Sequence, residues 1–315
     1  METMRVVTQT EYGGPEVLVV QHTDIPDVPP TQIRVRVQAA GVNPVDWKTR
    51  AGHGIAGLLG EPPFVLGWDI AGVVDQVGYG VTRFAVGDRV VGMPLFPAAA
   101  GGYGEYVVAP SRQWAHAPQR ASVFEAAGLP LAGLTAWQAL VDTAGIGSQS
   151  SVLIHAAAGG VGHLAVQIAR ARGCYVVGTA RSEKHALLAG LGAHETVDVR
   201  TRQPQVTDVD VVLDLIGDAE SAALVDLCRP GGWYIGVPSG VPREAAARAA
   251  RREVRTSAIL VEPDGHALGE LVSLVDAGRL RVLVEEVFPL ADAADAHRHG
   301  ERGRTVGKLI LDVAS

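Results

Sequence analysis

A glycine-rich turn in the middle of the chain is the stretch whose residue types and spacing most clearly point to chemistry. An apolar run precedes it, an amphipathic segment follows, and the turn itself reads Ala157-Ala158-Gly159-Gly160-Val161-Gly162. This is the dinucleotide-binding fingerprint G-x-G-x-x-G with Ala157 in place of the first glycine. Gly159 lets the backbone approach a diphosphate, and Gly162 lets the helix pack closely on the strand. The free N–H groups at the start of that helix favour an anion, so the turn predicts a bound dinucleotide.

The residues after the next apolar run carry positive charge and hydroxyl groups. Sites specific for NAD place Asp or Glu at the end of the second strand, where the acid binds the ribose 2′-OH. This chain has Thr179 there, followed by Arg181, Ser182 and Lys184. A guanidinium and a hydroxyl bind a 2′-phosphate that an acid would repel, so we predict NADPH rather than NADH. The alternative is that Arg181 and Lys184 are solvent-exposed loop charges, while Glu183 lies in the first turn of a helix capped by Ser182.

The surrounding sequence predicts the elements that must position these residues. Short apolar runs, typical of strands buried on both faces, alternate with segments of helical periodicity. Such a series predicts an α/β fold with a doubly wound parallel sheet. The predicted strands are SVLIHAA, CYVVGTA, TVDVR, VDVVLDLIG, GGWYIGVP and VRTSAILV.

The chain before and after this series has a β-rich pattern. In IRVRVQAAGV, valine and isoleucine alternate with polar residues, as in a half-buried strand. A helix is predicted through SVFEAAGLPLAGLTAWQALVDTAG, where Ser122 and Glu125 have the spacing of a capping box. The segments VEEVFPL and VGKLILDV are predicted to return to the first domain. We therefore expect a β-rich domain over 1–122, an inserted dinucleotide-binding domain over 123–262, and a return over 263–315.

Composition excludes several classes of protein. The 315 residues are 47% hydrophobic and 19% charged, which is incompatible with a disordered chain. The formal net charge of −7 argues against nucleic acid or an anionic membrane as a partner. The two cysteines, Cys174 and Cys228, stand alone in apolar stretches and predict buried core residues. With no signal peptide and no apolar run long enough to span a membrane, we expect a soluble cytoplasmic protein.

Seven short motifs along nearly the whole chain carry a family resemblance. The chain resembles the zinc-free quinone oxidoreductases of the medium-chain dehydrogenase/reductase superfamily. The resemblance implies a GroES-like catalytic domain, a Rossmann cofactor domain with a cleft between them, NADPH, and a homodimer formed by edge strands of the two cofactor sheets. The matching motifs, in order, are EYGGPEVL, AAGVNPVDWKTRAG, GWDIAGVV, VGDRVVG, GLTAWQAL, AAAGGVG and VGKLIL.

No metal is expected. In the zinc-dependent relatives, a cysteine and a Gly-His-Glu element supply metal ligands, and this chain has Asn43 and Trp68-Asp69 in those places. The indole of Trp68 cannot ligate zinc, and the first 170 residues contain no cysteine. His297 and His299 are two residues apart, so they do not share a helix face.

The resemblance also implies a set of pocket residues. Asn43 would donate a hydrogen bond to an acceptor carbonyl or hold a cofactor ribose, and Thr135 would lie near the nicotinamide. For each residue the alternative is a structural role: Asn43 as a turn residue, Trp47 and Trp68 as core, and Lys308 as a strand-surface lysine. The expected acceptor and nicotinamide residues are Asn43, Asp46, Trp47, Trp68 and Thr135, and Lys308 matches a terminal Gly-Lys of the family. Separately, ligands of doubly wound sheets bind beyond the carboxyl ends of the strands. The residues that follow the fourth and fifth predicted strands are therefore expected to line the ribose and nicotinamide: Gly217, Val237, Pro238 and Ser239.

These expectations lead to a function with two alternatives. Without a metal to polarise an alcohol, hydride transfer from NADPH to an electrophilic acceptor is favoured, and a quinone fits best. The first alternative is reduction of an enoyl or alkenal double bond, for which no proton donor is evident. The second is an NADPH-binding protein without turnover. The sequence assigns no residue a catalytic role.

Overall fold

The polypeptide leaves its first folding unit near residue 134 and returns to it near residue 262. In this computed structural model, one unit comprises Met1–Leu134 and Glu262–Ser315, and the other comprises Thr135–Val261. The structure describes residues 2–198, 200, 206–218, 221–237 and 240–315. The first unit extends past the expected boundary at residue 122, because the helix at Val123–Ala127 packs on strands of this unit.

The first unit is built on a seven-stranded sheet whose longest strand has the predicted alternation. Ile33, Val35 and Val37 are buried, whereas Arg34 and Arg36 are half-buried and exposed. The strands of this unit are β1 (Thr3–Gln9), β2 (Leu18–Asp24), β3 (Gln32–Val42), β4 (Phe64–Val65), β5 (Asp69–Val77), β6 (Arg89–Gly92), β7 (Tyr106–Pro110), β8 (Trp114–His116), β15 (Val284–Pro289) and β16 (Lys308–Asp312). The order in the large sheet is β15-β16-β3-β5-β6-β8, with β7 also paired to β3, and β2-β1-β4 form a separate sheet.

The long helix predicted from Ser122 is broken. Its capping box is present, since Ser122 Oγ accepts the Glu125 N–H at 3.2 Å and the Glu125 carboxylate accepts the Ser122 N–H at 2.8 Å. The helix ends at Ala127 because Pro130 lacks the N–H needed to continue it, and Pro130 instead begins the next helix. The helices up to this point, and those after residue 262, are α1 (Pro44–Arg50), α2 (Ala56–Leu59), α3 (Val123–Ala127), α4 (Pro130–Trp137), α8 (Gly265–Asp276) and α9 (Ala293–Glu301).

The second unit has the predicted doubly wound sheet. Its elements are β9 (Ser151–Ile154), α5 (Gly162–Ala171), β10 (Tyr175–Thr179), α6 (His185–Leu191), β11 (Glu195–Val197), β12 (Val209–Asp214), β13 (Cys228–Gly236), α7 (Arg243–Arg251) and β14 (Arg255–Ala258). In the residues that the structure describes, its six strands are all parallel and lie in the order β11-β10-β9-β12-β13-β14. This order is that of a dinucleotide-binding fold, with the reversal between β9 and β12.

Two of the predicted helices in this unit differ in detail. The segment Ser221–Leu227 forms a 3-10 helix rather than an α-helix. A 3-10 turn at Ser182–Lys184 precedes α6, so the α-helix begins at His185. Both cysteines are buried, as expected. In the part of the chain that the structure describes, none of the helices is both long and apolar enough to cross a bilayer.

Candidate active site and cofactor-binding site

The glycine turn lies at the carboxyl end of β9, where ligands bind in doubly wound sheets. A Cβ at Gly162 would meet the Ala156 oxygen at 2.4 Å and the Ala157 Cα at 2.7 Å, so only glycine allows α5 to start this close to the turn. A Cβ at Gly159 would meet only the Ala156 oxygen, at 3.4 Å. Residues 159–161 are half-exposed. The two glycines therefore differ in role: Gly162 permits packing, and Gly159 leaves space beside the turn.

The alanine that replaces the first glycine is accommodated by the neighbouring strand. Ala157 is fully buried, and its Cβ lies 3.0 Å from the point that a Cβ at Gly178 would occupy. Gly178 is in β10, the strand that pairs with β9. The chain therefore places a methyl group in the turn and a glycine opposite it, so that the turn keeps its close approach to β10.

Thr179, predicted to contact cofactor, ties the turn to β10. Its hydroxyl oxygen accepts the Ala156 N–H at 3.2 Å and lies 2.6 Å from His155 Nδ1, while its carbonyl accepts the Ala157 N–H at 2.9 Å. Burial lowers the pKa of His155, which favours the neutral ring. A hydrogen bond between Nδ1 of that ring and the Thr179 hydroxyl thus links the ends of the two strands. Sequence reasoning missed His155, although its place at the end of the predicted strand was the available signal.

The predicted cationic corner follows β10. Arg181 and Ser182 are exposed and Lys184 is half-buried. The described residues include no ion-pair partner for Arg181 or Lys184.

A carboxylate that sequence reasoning missed lies beside this corner. Asp198 follows β11, and its Oδ2 accepts the Ser182 N–H at 3.1 Å. The Arg200 guanidinium binds both oxygens of Asp198, at 2.9 and 2.5 Å, and holds the pKa of that carboxyl well below its usual range. The charge of Asp198 is thus paired with a guanidinium. In the sequence Asp198 lies in TVDVR, the predicted third strand, and the parallel pairing of β10 with β11 brings the two strand ends together.

The carboxyl ends of β12 and β13 hold further predicted cofactor residues. Asp214 Oδ1 accepts the N–H groups of Ile216 and Gly217, at 3.0 and 3.1 Å. Its Oδ2 accepts the hydroxyls of Ser221 at 2.8 Å and Tyr234 at 2.5 Å, so this buried carboxylate fixes the turn that contains Gly217. The Val237 N–H donates to the Asp214 carbonyl at 3.1 Å. Pro238 and Ser239, also predicted, lie outside the described residues.

In the first unit, Asn43 is held by a buried ion pair. Lys308 Nζ donates to Asn43 Oδ1, and to Asp69 Oδ2 at 3.2 Å and the Val42 carbonyl at 3.3 Å. Asn43 Nδ2 donates to Asp69 Oδ2 at 2.9 Å. The side chains of Lys308 and Asp69 are 3% and 0% exposed, so this is a charge pair removed from water. The structure therefore brings two predicted residues, Asn43 and Lys308, into direct contact, and Asp69 hydrogen-bonds both.

Asp46 lies behind Asn43 in a second buried polar group. Its Oδ2 accepts the Asn43 backbone N–H at 2.6 Å, which caps α1, and the Tyr103 side chain lies close enough to the buried carboxyl to hydrogen-bond it. Burial, opposed by the Asn43 N–H, raises the pKa of Asp46 to about 7. A carboxyl in this environment resists ionisation because water cannot solvate the charge.

A buried histidine completes this group. Arg50 Nη1 lies 3.2 Å from His297 Nδ1, and the Tyr103 hydroxyl lies 3.0 Å from His297 Nε2. Burial, with a smaller effect of Arg50, lowers the pKa of His297 to about 3, so the ring is neutral. Because a guanidinium only donates, Nδ1 accepts and Nε2–H donates to Tyr103. His297 is thus a structural residue, while His299 lies near Glu285 on the surface.

The three other predicted pocket residues have contacts of their own. Trp68 is fully buried, its indole N–H donates to the Ala98 carbonyl at 2.8 Å, and its ring packs edge-on against Phe96. Trp47 is half-buried and packs on α9, where a Cβ at Gly300 would meet its ring at 2.6 Å. Thr135 is 3% exposed. For Trp68 these contacts agree with the alternative of a core residue.

The donor atoms present do not fit a zinc ion. Both oxygens of Asp69 are already bound, Oδ1 by the Leu131 N–H at 2.5 Å and Oδ2 by Asn43 and Lys308. The Asn43 carbonyl oxygen faces an ammonium, and Trp68 contributes only an N–H donor. No group of three or more His, Cys, Asp or Glu side chains in the described ranges is arranged to hold a metal.

Comparisons with known proteins agree with this fold. The family model described as "Alcohol dehydrogenase GroES-like domain" matches residues 29–119, and that described as "Zinc-binding dehydrogenase" matches residues 191–311. A quinone oxidoreductase from Sus scrofa is 33% identical over 327 residues, which cover 98% of this chain and 97% of the relative. A 2-haloacrylate reductase from Burkholderia sp is 35% identical over 323 residues, covering 95% and 96%.

A solved structure agrees as well. The quinone oxidoreductase from Coxiella burnetii superposes with a TM-score of 0.91 at 34% identity, covering 99% of this chain and 100% of that one. The chain therefore belongs to the medium-chain dehydrogenase/reductase superfamily, as the sequence motifs predicted. It is an enzyme, an NAD(P)H-dependent oxidoreductase.

Proposed function

We propose that this enzyme transfers hydride from NADPH to a quinone-type acceptor without a metal. The observation that carries the proposal is that the Lys308 ammonium donates hydrogen bonds to Asn43 and Asp69. These two positions are those at which zinc-dependent relatives have metal-binding elements. The quinone oxidoreductases of Sus scrofa and Coxiella burnetii support the acceptor class. The nicotinamide supplies a hydride when the cofactor is bound, and the acceptor gains that hydride and one proton from water.

The chain's own residues would bind and orient the two reactants. The turn at residues 159–161 holds the diphosphate, and Gly217 and Val237 line the ribose and nicotinamide end. In the first unit, Asn43 donates a hydrogen bond to the acceptor carbonyl, whose oxygen gains negative charge as hydride arrives. Asp46 keeps α1 and the Asn43 backbone in place.

The preference for NADPH rests on the corner after β10. Arg181 supplies a guanidinium, Ser182 a hydroxyl and Lys184 an ammonium for the 2′-phosphate. Asp198 would oppose that anion if it stood alone, but Arg200 binds both of its oxygens. The net charge of the five side chains is therefore positive, since Arg181, Lys184 and Arg200 are cations, Asp198 is an anion and Ser182 is neutral.

Reduction of an activated carbon–carbon double bond is the second candidate. The relative named 2-haloacrylate reductase favours it, because that name describes a reductase that acts on an acrylate. Asn43 would serve this reaction in the same way, because the carbonyl of an enone also gains negative charge when hydride reaches the β-carbon.

Stopped-flow oxidation of enzyme-bound NADPH by a panel of quinones and enones distinguishes the candidates. Fast oxidation by quinones with slow oxidation by enones supports the proposal, and the reverse supports the second candidate. Tight NADPH binding without oxidation by any member of the panel contradicts both.

We also propose that the enzyme is a cytoplasmic homodimer. Among the strands that the structure describes, β14 is the last of the six-stranded sheet, and its outer edge offers N–H and C=O groups to the same strand of a second copy. Sedimentation velocity over a range of concentrations tests this, and a monomer at all concentrations contradicts it. Fractionation of expressing cells tests the location.

A further inference from the structure

We propose that Lys308 and Asp69 are positioning residues that act through Asn43, fixing one amide N–H toward the oxygen of the acceptor. The inference rests on the proposed function, in which Asn43 binds that oxygen. The two charges come from β16 and β5 and meet at the start of α1. Their task is to hold a neutral donor in one orientation.

The contacts determine which way the Asn43 amide points. An ammonium has only donors, so the group facing Lys308 must be the carbonyl oxygen Oδ1. An ionised carboxylate has only acceptors, so the group facing Asp69 must be Nδ2. If the amide were flipped, its N–H groups would face the Lys308 ammonium, which also donates, and its oxygen would face the Asp69 carboxylate, which also accepts. The ion pair thus selects a single amide orientation.

This arrangement leaves one hydrogen of Asn43 for a ligand. Nδ2 carries two hydrogens, and Asp69 accepts one of them. The described residues provide no acceptor for the second. Lys308 meanwhile uses its three N–H groups on Asn43, Asp69 and the Val42 carbonyl, so it has none left to bind the acceptor itself.

Burial makes the geometry effective. Asn43 is 2% exposed, and both charged partners are removed from water. A donor held by a dry, fully hydrogen-bonded pair does not have to reorient when negative charge develops on the acceptor. A donor on a flexible, solvated side chain would lose part of this advantage to reorganisation.

The pair can be removed without leaving a lone charge. Lys308→Met alone would strand the buried Asp69 carboxylate, which destabilises proteins strongly. The double variant Lys308→Met/Asp69→Asn removes both charges together, so it leaves no unpaired charge in the interior. If it does not fold, Lys308→Gln/Asp69→Asn keeps closer shapes and hydrogen-bonding groups. The matched control is Arg34→Met/Asp75→Asn, which removes an ion pair between β3 and β5 in the same unit.

The measurement is the single-turnover rate of hydride transfer from bound NADPH at saturating quinone, with NADPH affinity and thermal unfolding recorded for each variant. Asn43→Ala should slow the step by on the order of a hundredfold, the effect of losing one donor to developing charge. The charge-pair variant should slow it by on the order of tenfold or more, with NADPH affinity unchanged. The control pair should leave the rate unchanged.

Two further readouts separate positioning from a general structural role. The triple variant with Asn43→Ala should be no slower than Asn43→Ala alone, because the pair acts only through that amide. The loss should also grow as the quinone becomes less electrophilic, since such acceptors depend more on the hydrogen bond. Lys308→Arg keeps the positive charge and a donor, so its rate of hydride transfer should be higher than that of the charge-pair variant.

The possible failures are distinguishable. If the wild type oxidises NADPH with quinones and Asn43→Ala is slow but the folded charge-pair variants are not, this inference is wrong and the proposed function stands. An unimpaired Asn43→Ala, or additive losses in the triple variant, also overturns it. Absence of turnover in the wild type with every acceptor overturns the proposed function itself.

Discussion

Nδ1 of His155 lies 2.6 Å from the hydroxyl oxygen of Thr179, and this contact joins the carboxyl ends of two neighbouring parallel strands. The same oxygen accepts the Ala156 N–H. Ala156 has a φ of 57°, a conformation that a non-glycine residue adopts at a cost. Thr179 therefore holds the first residues of the glycine turn in a backbone shape that they do not prefer.

Thr179→Val keeps the shape of the side chain and removes the hydroxyl. His155 Nδ1 and the Ala156 N–H lose a shared partner, and the free energy of unfolding should fall by about 1–3 kcal/mol. NADPH affinity should fall by about tenfold as the turn loosens. Urea unfolding and fluorescence titration measure the two effects. Thr179→Ser is the control, and equal losses in both variants would contradict this role for the hydroxyl.

Gly162→Ala should lower the stability of the protein, whereas Gly159→Ala should weaken cofactor binding. At Gly162 the new methyl group would overlap backbone atoms at 2.4 and 2.7 Å, so the variant should be destabilised by several kcal/mol. At Gly159 there is room, so the fold should persist while the methyl group blocks the cofactor. Thermal unfolding without ligand and NADPH titration test this. Normal NADPH affinity in Gly159→Ala would show that the diphosphate lies elsewhere.

Arg181→Ala tests the choice of cofactor. Loss of a charge-assisted contact to the 2′-phosphate should weaken NADPH binding by about tenfold to a hundredfold, with NADH affinity nearly unchanged. Calorimetric titration with both nucleotides measures the ratio. Arg243→Ala, in the first turn of α7, controls for a change in net charge. Equal wild-type affinities for the two nucleotides would remove the case for this corner.

Asp46→Asn should stabilise the protein at neutral and higher pH. Its pKa in the folded protein is about 7, above the ordinary value of 3.8, so the unfolded chain ionises first and wild-type stability falls as pH rises from about 4 to 7. Asparagine cannot ionise, and it carries N–H donors where the protonated acid carries its O–H. The variant should exceed the wild type by about 2–4 kcal/mol at pH 8 and match it near pH 4. Chemical denaturation across this range measures the difference, and a constant gap would refute the titration of Asp46.

The features that depend on neighbouring residues in the chain were predictable from the sequence. The alternation in β3, the capping box at Ser122 and the strand–turn–helix around Gly159 and Gly162 each have a local signature, and all are present. The break at Pro130 had a local signal as well. The helical periodicity on both sides of the proline led us to predict a continuous helix.

The features that depend on distant residues were not predictable. Lys308 and Asp69 are 239 positions apart, and only the pairing of β16 and β5 with β3 brings them to Asn43. The proximity of Asp198 to Ser182 likewise follows from the register of β10 and β11. The compensation of Ala157 by Gly178 requires knowing which side chains face each other across two strands. No periodicity encodes these contacts.

The position of β16 in the chain also determines the order of biosynthesis. Asn43 and Asp69 emerge from the ribosome early, whereas Lys308 emerges only after the whole of the second unit has been synthesised. Until then Asp69 lacks its counter-charge and β3 lacks the neighbour that completes its sheet. The second unit can thus be synthesised completely before the Lys308–Asp69–Asn43 cluster exists. A polypeptide that ends before Lys308 would keep the Asp69 carboxylate without its counter-charge, which would destabilise the fold and favour degradation.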